Sequence, residues 1–193
     1  MALEKKGSNV TYLTISNGSF VRQLQEASGE SVARVNKVGR TVHEVFYRTV
    51  TGVIKGIEVK ENDYGKQMSL RIIDDEETYI INMPYSSRYS TSILKALPNI
   101  VITNRVKMLA WQMNDKNDAT KKISGVTCYQ EDEQGNEIKI LPYYTKDDPK
   151  GLPQMKKVKV KGKDVWDDTD MMEFLFDKAV LIISHQSEEE APF

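Results

Sequence analysis

The stretch from Val45 to Val59 constrains this chain most: it is dense in Val, Ile, Thr, Phe and Tyr and is broken by Gly52 and Gly56. β-Branched and aromatic side chains suit a pleated surface, so the stretch reads as strand. It is too long for an ordinary strand, and glycine inside a strand marks a bulge or a sharp bend. A long, coiled strand of this kind is one around which a sheet can curl.

The residues that follow keep the β pattern. Gln67 to Ile73 alternates, with Met68, Leu70 and Ile72 inward and Ser69 and Arg71 outward. Asp74-Asp75-Glu76-Glu77 is an acidic turn, and Thr78 to Met83 is the next strand. Ser86 to Leu97 then places Ile93, Leu94 and Leu97 at helical spacing, closed by Pro98. Val106–Met113, Lys121–Gln130 and Ile138–Leu141 return to strand. Three strands, a helix and two strands predict a mainly β chain. Its core would be an OB-fold-like five-stranded Greek-key barrel over residues 43–145, with one helix between strands 3 and 4. An SH3-like barrel or a jelly-roll fragment fits the same order.

Extensions flank this core. Residues 1–42 read as an N-terminal extension with a strand at Val10–Ile15, a turn at Asn17-Gly18 and a short helix within 19–33. Residues 146–163 read as a basic loop or β-ribbon, because Lys156, Lys157, Lys159, Lys161 and Lys163 are interleaved with Val158 and Val160. Residues 164–184 predict a short C-terminal helix, capped by Thr169, with Met171, Met172 and Leu175 on one face. A closing strand would follow at Ala179–Ser184. Residues 185–193 form an acidic tail.

Composition bears on class. Of 193 residues, 39% are hydrophobic and 28% charged, enough apolar content for a core. No run is long and apolar enough to cross a membrane, and Met1 to Lys6 lacks the apolar stretch of a signal peptide. A cytoplasmic protein is expected. A single cysteine, Cys128, excludes an intrachain disulfide and a multi-cysteine zinc site. Charge is unevenly spread. Nine acidic residues against Lys178 make residues 164–193 net −8, and a whole-chain charge of −1 then leaves +7 on residues 1–163. A basic body with an acidic end is a polyanion-binding pattern.

Catalysis has little to work with. His43 and His185 are the two histidines, and Cys128 reads as a small buried hydrophobe. No phosphate loop, nucleophile elbow or His-Glu-x-x-His motif occurs. The acidic turn at Asp74–Glu77 reads as solvated rather than as a divalent-ion site. No enzyme activity, cofactor or metal is predicted.

Single-stranded nucleic acid asks for something else: cations that follow phosphates and flat rings on which bases stack. The core interleaves the two. Lys55 lies on the long strand, Tyr64 and Lys66 share the next loop, and Arg71 points outward. Tyr85, Arg88 and Tyr89 cluster where the third strand meets the helix. Lys107 and Trp111 share one strand face, where Trp111 could equally be core with Leu109 and Met113. Lys121, Lys122 and Tyr129 lie on or beside the fifth strand. Lys156, Lys157, Lys159 and Lys161 could close over a backbone as a flap. Tyr47 and Tyr79 read as core.

The chain ends Glu188-Glu189-Glu190-Ala191-Pro192-Phe193. An aromatic end can enter an apolar pocket on a partner while basic residues there hold the acids and the α-carboxylate. This resembles the C-terminal tip of bacterial single-stranded DNA-binding proteins, a short acidic stretch followed by Pro-Phe. Structured sequence almost to the tail is more similar to the tailed-phage type of that family. The resemblance implies a non-catalytic protein that coats single strands during replication, recombination or repair. Its tail, Glu188, Glu189, Glu190, Pro192 and Phe193, would recruit replication or recombination proteins and compete with DNA for the basic body. No membrane partner is expected, and self-association stays open. The alternatives are an RNA-binding OB protein, or a protein-interaction or virion-assembly module without DNA.

Overall fold

The computed structural model describes residues 10–63 and 65–189, with backbone alone from residue 186 onward. Among the described residues, ten strands form one mixed sheet. Strands β1 (Val10–Ser16), β2 (Ser19–Leu24), β3 (Val32–Val35) and β4 (Thr41–Tyr47) come first. Then follow β5 (Thr49–Asn62), β6 (Gly65–Asp74) and β7 (Glu77–Pro84). Helix α1 (Arg88–Ala96) and a 3-10 turn (Leu97–Asn99) precede β8 (Val106–Asn114), β9 (Lys122–Glu131) and β10 (Glu137–Ile140). A separate ribbon, β11 (Lys156–Val160) with β12 (Lys163–Asp167), leads into the helix α2 (Thr169–Glu189).

The sheet order is β10-β9-β8-β5-β6-β7-β1-β2-β4-β3. β5 is the strand the sequence singles out. Its first residues, Thr49–Gly52, pair with β8, and from Val53 onward it pairs with β6. The handover comes just before a register shift between Ile54 and Gly56, which leaves Lys55 as a bulge. A bulge increases local twist, and so β5 can belong to both halves of the sheet.

Three expectations are corrected. The sheet does not close as a five-stranded barrel. β7 takes β1 as its parallel neighbour, while β9 pairs with β8 and β10. β10 reaches β9 only from Cys128 onward, and the earlier part of that edge is met by α1, where the Ser92 hydroxyl accepts from the Val126 amide at 2.8 Å. Second, the N-terminal segment is part of the sheet rather than an appendage. Residues 19–24 form β2, not a helix, because Phe20 fits the core and pairs with Ile15 and Tyr47. The long β run also divides at Arg48 into β4 and β5.

Third, Ala179–Ser184 is helix, not strand. The inward positions Met172, Leu175 and Ala179 keep helical spacing through Asp177 and Lys178, and Ile182 and Ile183 extend it. Tertiary packing overrides the local β preference of Val-Leu-Ile-Ile. α2 therefore runs unbroken into the predicted tail. Glu188 and Glu189 are its last residues. Glu190, Pro192 and Phe193 lie outside the described residues.

Both helices cover the inner side of the sheet. α1 starts at Ser87, whose hydroxyl accepts from the Ser90 amide at 3.1 Å, and buries Tyr89, Ile93 and Leu94. The buried core joins these to Met68, Leu70, Ile72, Ile81, Met108, Met172 and Leu175. Gln130, buried beneath the loop at Val101, accepts from the Val101 amide at 2.9 Å and donates to its carbonyl at 2.7 Å. Among the described residues, no helix is long and apolar enough to cross a membrane.

Candidate nucleic-acid interface

With α1, α2 and the apolar core on one side, strand alternation turns a second set of side chains outward. Across β5, β6, β7 and β1 the register aligns Gly56, Arg71, Ile80 and Tyr12 as successive neighbours. At roughly 4.8 Å per strand this row spans about 14 Å. Arg71 is exposed, and Tyr12 is 65% exposed. Lys55, at the bulge, lines one shallow depression with Arg71, Ile80 and Ser69. The next row places Ser69, Asn82, Thr14, Val21 and Phe46 in line; Ser69 and Val21 are buried, and Phe46 ends it exposed. The Ser69 hydroxyl donates to the Asn82 carbonyl oxygen at 2.6 Å, fixing the neighbouring polar surface.

The same sheet side continues by register through Thr51, beside Lys107, and Val53, beside Ile73. Lys107, Trp111 and Tyr129 lie on that side. Lys107 pairs across strands with Tyr129, its ammonium 6.0 Å from that ring and 2.6 Å from the Glu137 carboxylate. Trp111 is half-buried. Its ring lies over Gly125, where a Cβ would come within 2.8 Å of Cζ2, and its Nε1 donates to Thr127 Oγ1 at 3.1 Å. Trp111 is thus neither core nor free; one ring face rests on the sheet. The core face of β8 belongs to Val106, Met108 and Ala110.

Other predicted residues sit elsewhere. Tyr85 and Tyr89 offer no open ring, a correction with a packing cause: they are 7% and 9% exposed. Tyr85 stands edge-on to Phe176 at 6.0 Å, and burial, with Glu173, Asp177 and Asp168 nearby, pushes its hydroxyl up to about 12. The acids of α2 make that corner unfavourable for phosphate. Lys66 lies 6.0 Å from the Tyr85 ring at this corner. Arg88 donates to the Lys122 carbonyl at 3.3 Å, bringing those two together at the start of β9, whereas Lys121 pairs with Asp118 at 3.0 Å. Tyr64 lies outside the described residues.

The lysine run forms the ribbon. Lys156 is tied to Asp170 at the start of α2, whose carboxylate holds the ammonium in its charged form. Lys157 pairs with Trp166, and Lys159 with Asp164, on one ribbon face. Lys161 sits in the turn. Tyr47, expected in the core, is exposed, whereas Tyr79 is half-buried and packs against the core as expected; both line a cavity of about 560 Å³ with Arg22, Asp74 and Glu77. The Glu77 carboxylate accepts from Tyr79 and pushes that hydroxyl up to about 12. Asp74 pairs with Arg105. Among the described residues, no three His, Cys, Asp or Glu side chains group to hold a metal ion.

Two aromatic residues escape the sequence reading. Tyr12 alternates with the buried Leu13 and could have been assigned outward by parity. Trp166 carries no such signal, because its ribbon has no buried face to set the parity. No known family, curated protein or solved structure matches this chain.

Proposed function

We propose that this chain is a non-catalytic, sequence-tolerant single-stranded DNA-binding protein acting in DNA replication, recombination or repair. The observation that carries the reading is the row Arg71–Ile80–Tyr12. It presents a guanidinium, an aliphatic surface and an open aromatic ring side by side on an outward sheet face. Phosphates take the cation and bases stack on the ring, contributing about 1–3 kcal/mol per stacked base. Lys55 extends the charge along the row. Trp111 and Tyr129 extend the ring surface beside Lys107. Contacts of this kind read charge and π-faces rather than base edges, which gives sequence tolerance. The C-terminal Glu188–Phe193 segment supplies a peptide for recruiting replication or recombination proteins.

The test is fluorescence anisotropy with a labelled oligo-dT of about 30 nucleotides against a duplex of equal length, over a salt series. Preferential single-strand binding is expected, falling with salt at a slope near −0.7 per phosphate neutralised. Equal or stronger duplex binding overturns the single-strand reading. A marked preference for oligo-U reassigns the protein to RNA. No binding to any of these at low salt leaves a protein-interaction module in its place.

A further inference from the structure

We infer that the β11–β12 ribbon is a second single-strand contact, with Trp166 as its stacking residue, so that one strand is held at two separate places. This rests on the single-strand reading above and adds a site to it.

The ribbon is a sheet of its own, hydrogen-bonded to no strand of the large one. Between Lys156 and Trp166 every residue is exposed except Val158, which is half-buried. Trp166 itself is 60% exposed. An indole is large and highly buried on average, so one left open beside lysines on a ribbon of its own is informative. Packing does not explain it, because the ribbon lays no apolar face on the core.

Its surroundings suit an unstacked base. Lys157 is its cross-strand partner, with the ammonium 5.4 Å from the ring centroid. Lys159 and Asp164 form the adjacent pair on that face. Lys161 and Gly162 make the turn, both with positive φ, and Lys163 follows it. Lys156 is tied to Asp170 and anchors the base of the ribbon to α2. Among the described residues, Lys157, Lys161 and Lys163 make no ion pair. The ribbon therefore offers one ring and three unpaired cations. A two-stranded ribbon can also enter a duplex major groove. Paired bases, however, present edges there and keep their faces stacked, so the open indole favours a single strand.

The experiment compares Trp166→Ala and Trp166→Phe with the unaltered protein, using oligo-dT of about 8 and about 30 nucleotides and a 30-base-pair duplex. The exposed position leaves the thermal midpoint unchanged, which is checked first. Trp166→Ala is expected to weaken 30-mer binding about 5- to 150-fold, the equivalent of losing one stacked base. Trp166→Phe keeps a ring and loses only a few-fold. The 8-mer, short enough for the sheet face alone, binds all three proteins within about twofold. Tryptophan fluorescence quenching by the 30-mer is smaller in Trp166→Phe than in the unaltered protein. Unchanged 30-mer binding in Trp166→Ala overturns the second contact while the sheet-face reading stands. Equal losses for both lengths overturn its separateness. A loss on duplex as large as on the 30-mer overturns its single-strand character. If the unaltered protein binds no single strand, both readings fall together.

Discussion

The backbone amide of Gly18 donates a hydrogen bond to the phenolic oxygen of Tyr89 at 3.0 Å, joining the β1–β2 turn to α1. The same turn presses on β8: a Cβ on Gly18 would lie 2.5 Å from the Gln112 nitrogen and 2.8 Å from the Trp111 carbonyl carbon. β8 loses β5 as a neighbour in this region, and the turn occupies the space beside it. Gly18 also has φ +77, where an L side chain is strained. Gly18→Ala is expected to lower stability by about 2–3 kcal/mol. Tyr89→Phe, which removes the acceptor alone, lowers it by about 1 kcal/mol. Urea unfolding measures both; equal midpoints for Gly18→Ala and the parent would show that the turn does not depend on this close approach.

Tyr12 and Arg71 act differently on binding, one through stacking and the other through charge. Tyr12→Ala should weaken oligo-dT binding about 5- to 150-fold and leave the salt slope unchanged. Arg71→Ala should reduce the magnitude of that slope by about 0.7. Anisotropy titrations at several salt concentrations separate the two. Parental affinity and slope in both variants would remove the sheet face from the binding surface.

Glu44 and Arg34 give the β3–β4 hairpin a pH dependence. Glu44 is buried and accepts two hydrogen bonds from the Arg34 guanidinium, at 2.9 and 2.5 Å. The bonded guanidinium holds the carboxyl below its usual value of 4.5, against the opposing effect of burial. A depressed folded-state value means the unfolded chain takes up the proton first on acidification. The contribution is complete above the ordinary carboxylate range and is lost as pH falls through the folded value. Urea midpoints at pH 7, 5 and 3 should fall more steeply for the parent than for Glu44→Gln, which has no carboxylate to protonate. Parallel curves would assign the acid sensitivity elsewhere.

Cys128 lies between β8 and β10 in the core, and burial pushes its thiol up to about 12. The reactive thiolate is therefore scarce at neutral pH and out of reach of solvent. Labelling by a thiol-specific reagent at pH 8 should proceed only as the fold opens, and rapidly in urea. Immediate stoichiometric labelling of the native protein would contradict this burial.

Where one face of an element touches the core, the sequence was readable. Met68, Leu70 and Ile72 alternate with Ser69 and Arg71, and the fold buries the first three and exposes Arg71, while Ser69, expected outward, is buried with its hydroxyl on Asn82. Asn17-Gly18 is the turn its residues indicate, with both at positive φ. Sheet closure was not readable, because the parallel pairing of β1 with β7 is a long-range choice that no local pattern encodes. Tyr85 and Tyr89 misled because aromatic residues beside an arginine look the same whether packed on Phe176 or open to solvent. Trp166 was missed for the opposite reason: its ribbon has no core contact to set inward against outward. The basic ribbon itself was legible from alternating lysine and valine, while the pairing of Lys156 with Asp170 needed the fold.

The parallel pairing of β1 with β7 has a consequence during synthesis. Val10 aligns with Thr78 and Thr14 with Asn82, so β1 waits for β7 to be made. At 5–20 residues per second, Thr78 follows Val10 by roughly 3–14 s. Until then the nascent hairpin β1–β2 can form, but its outer edge has no partner, and Leu13 and Ile15 have no core to enter. A factor that shields this hairpin during that interval would therefore raise the share of chains that reach the native sheet.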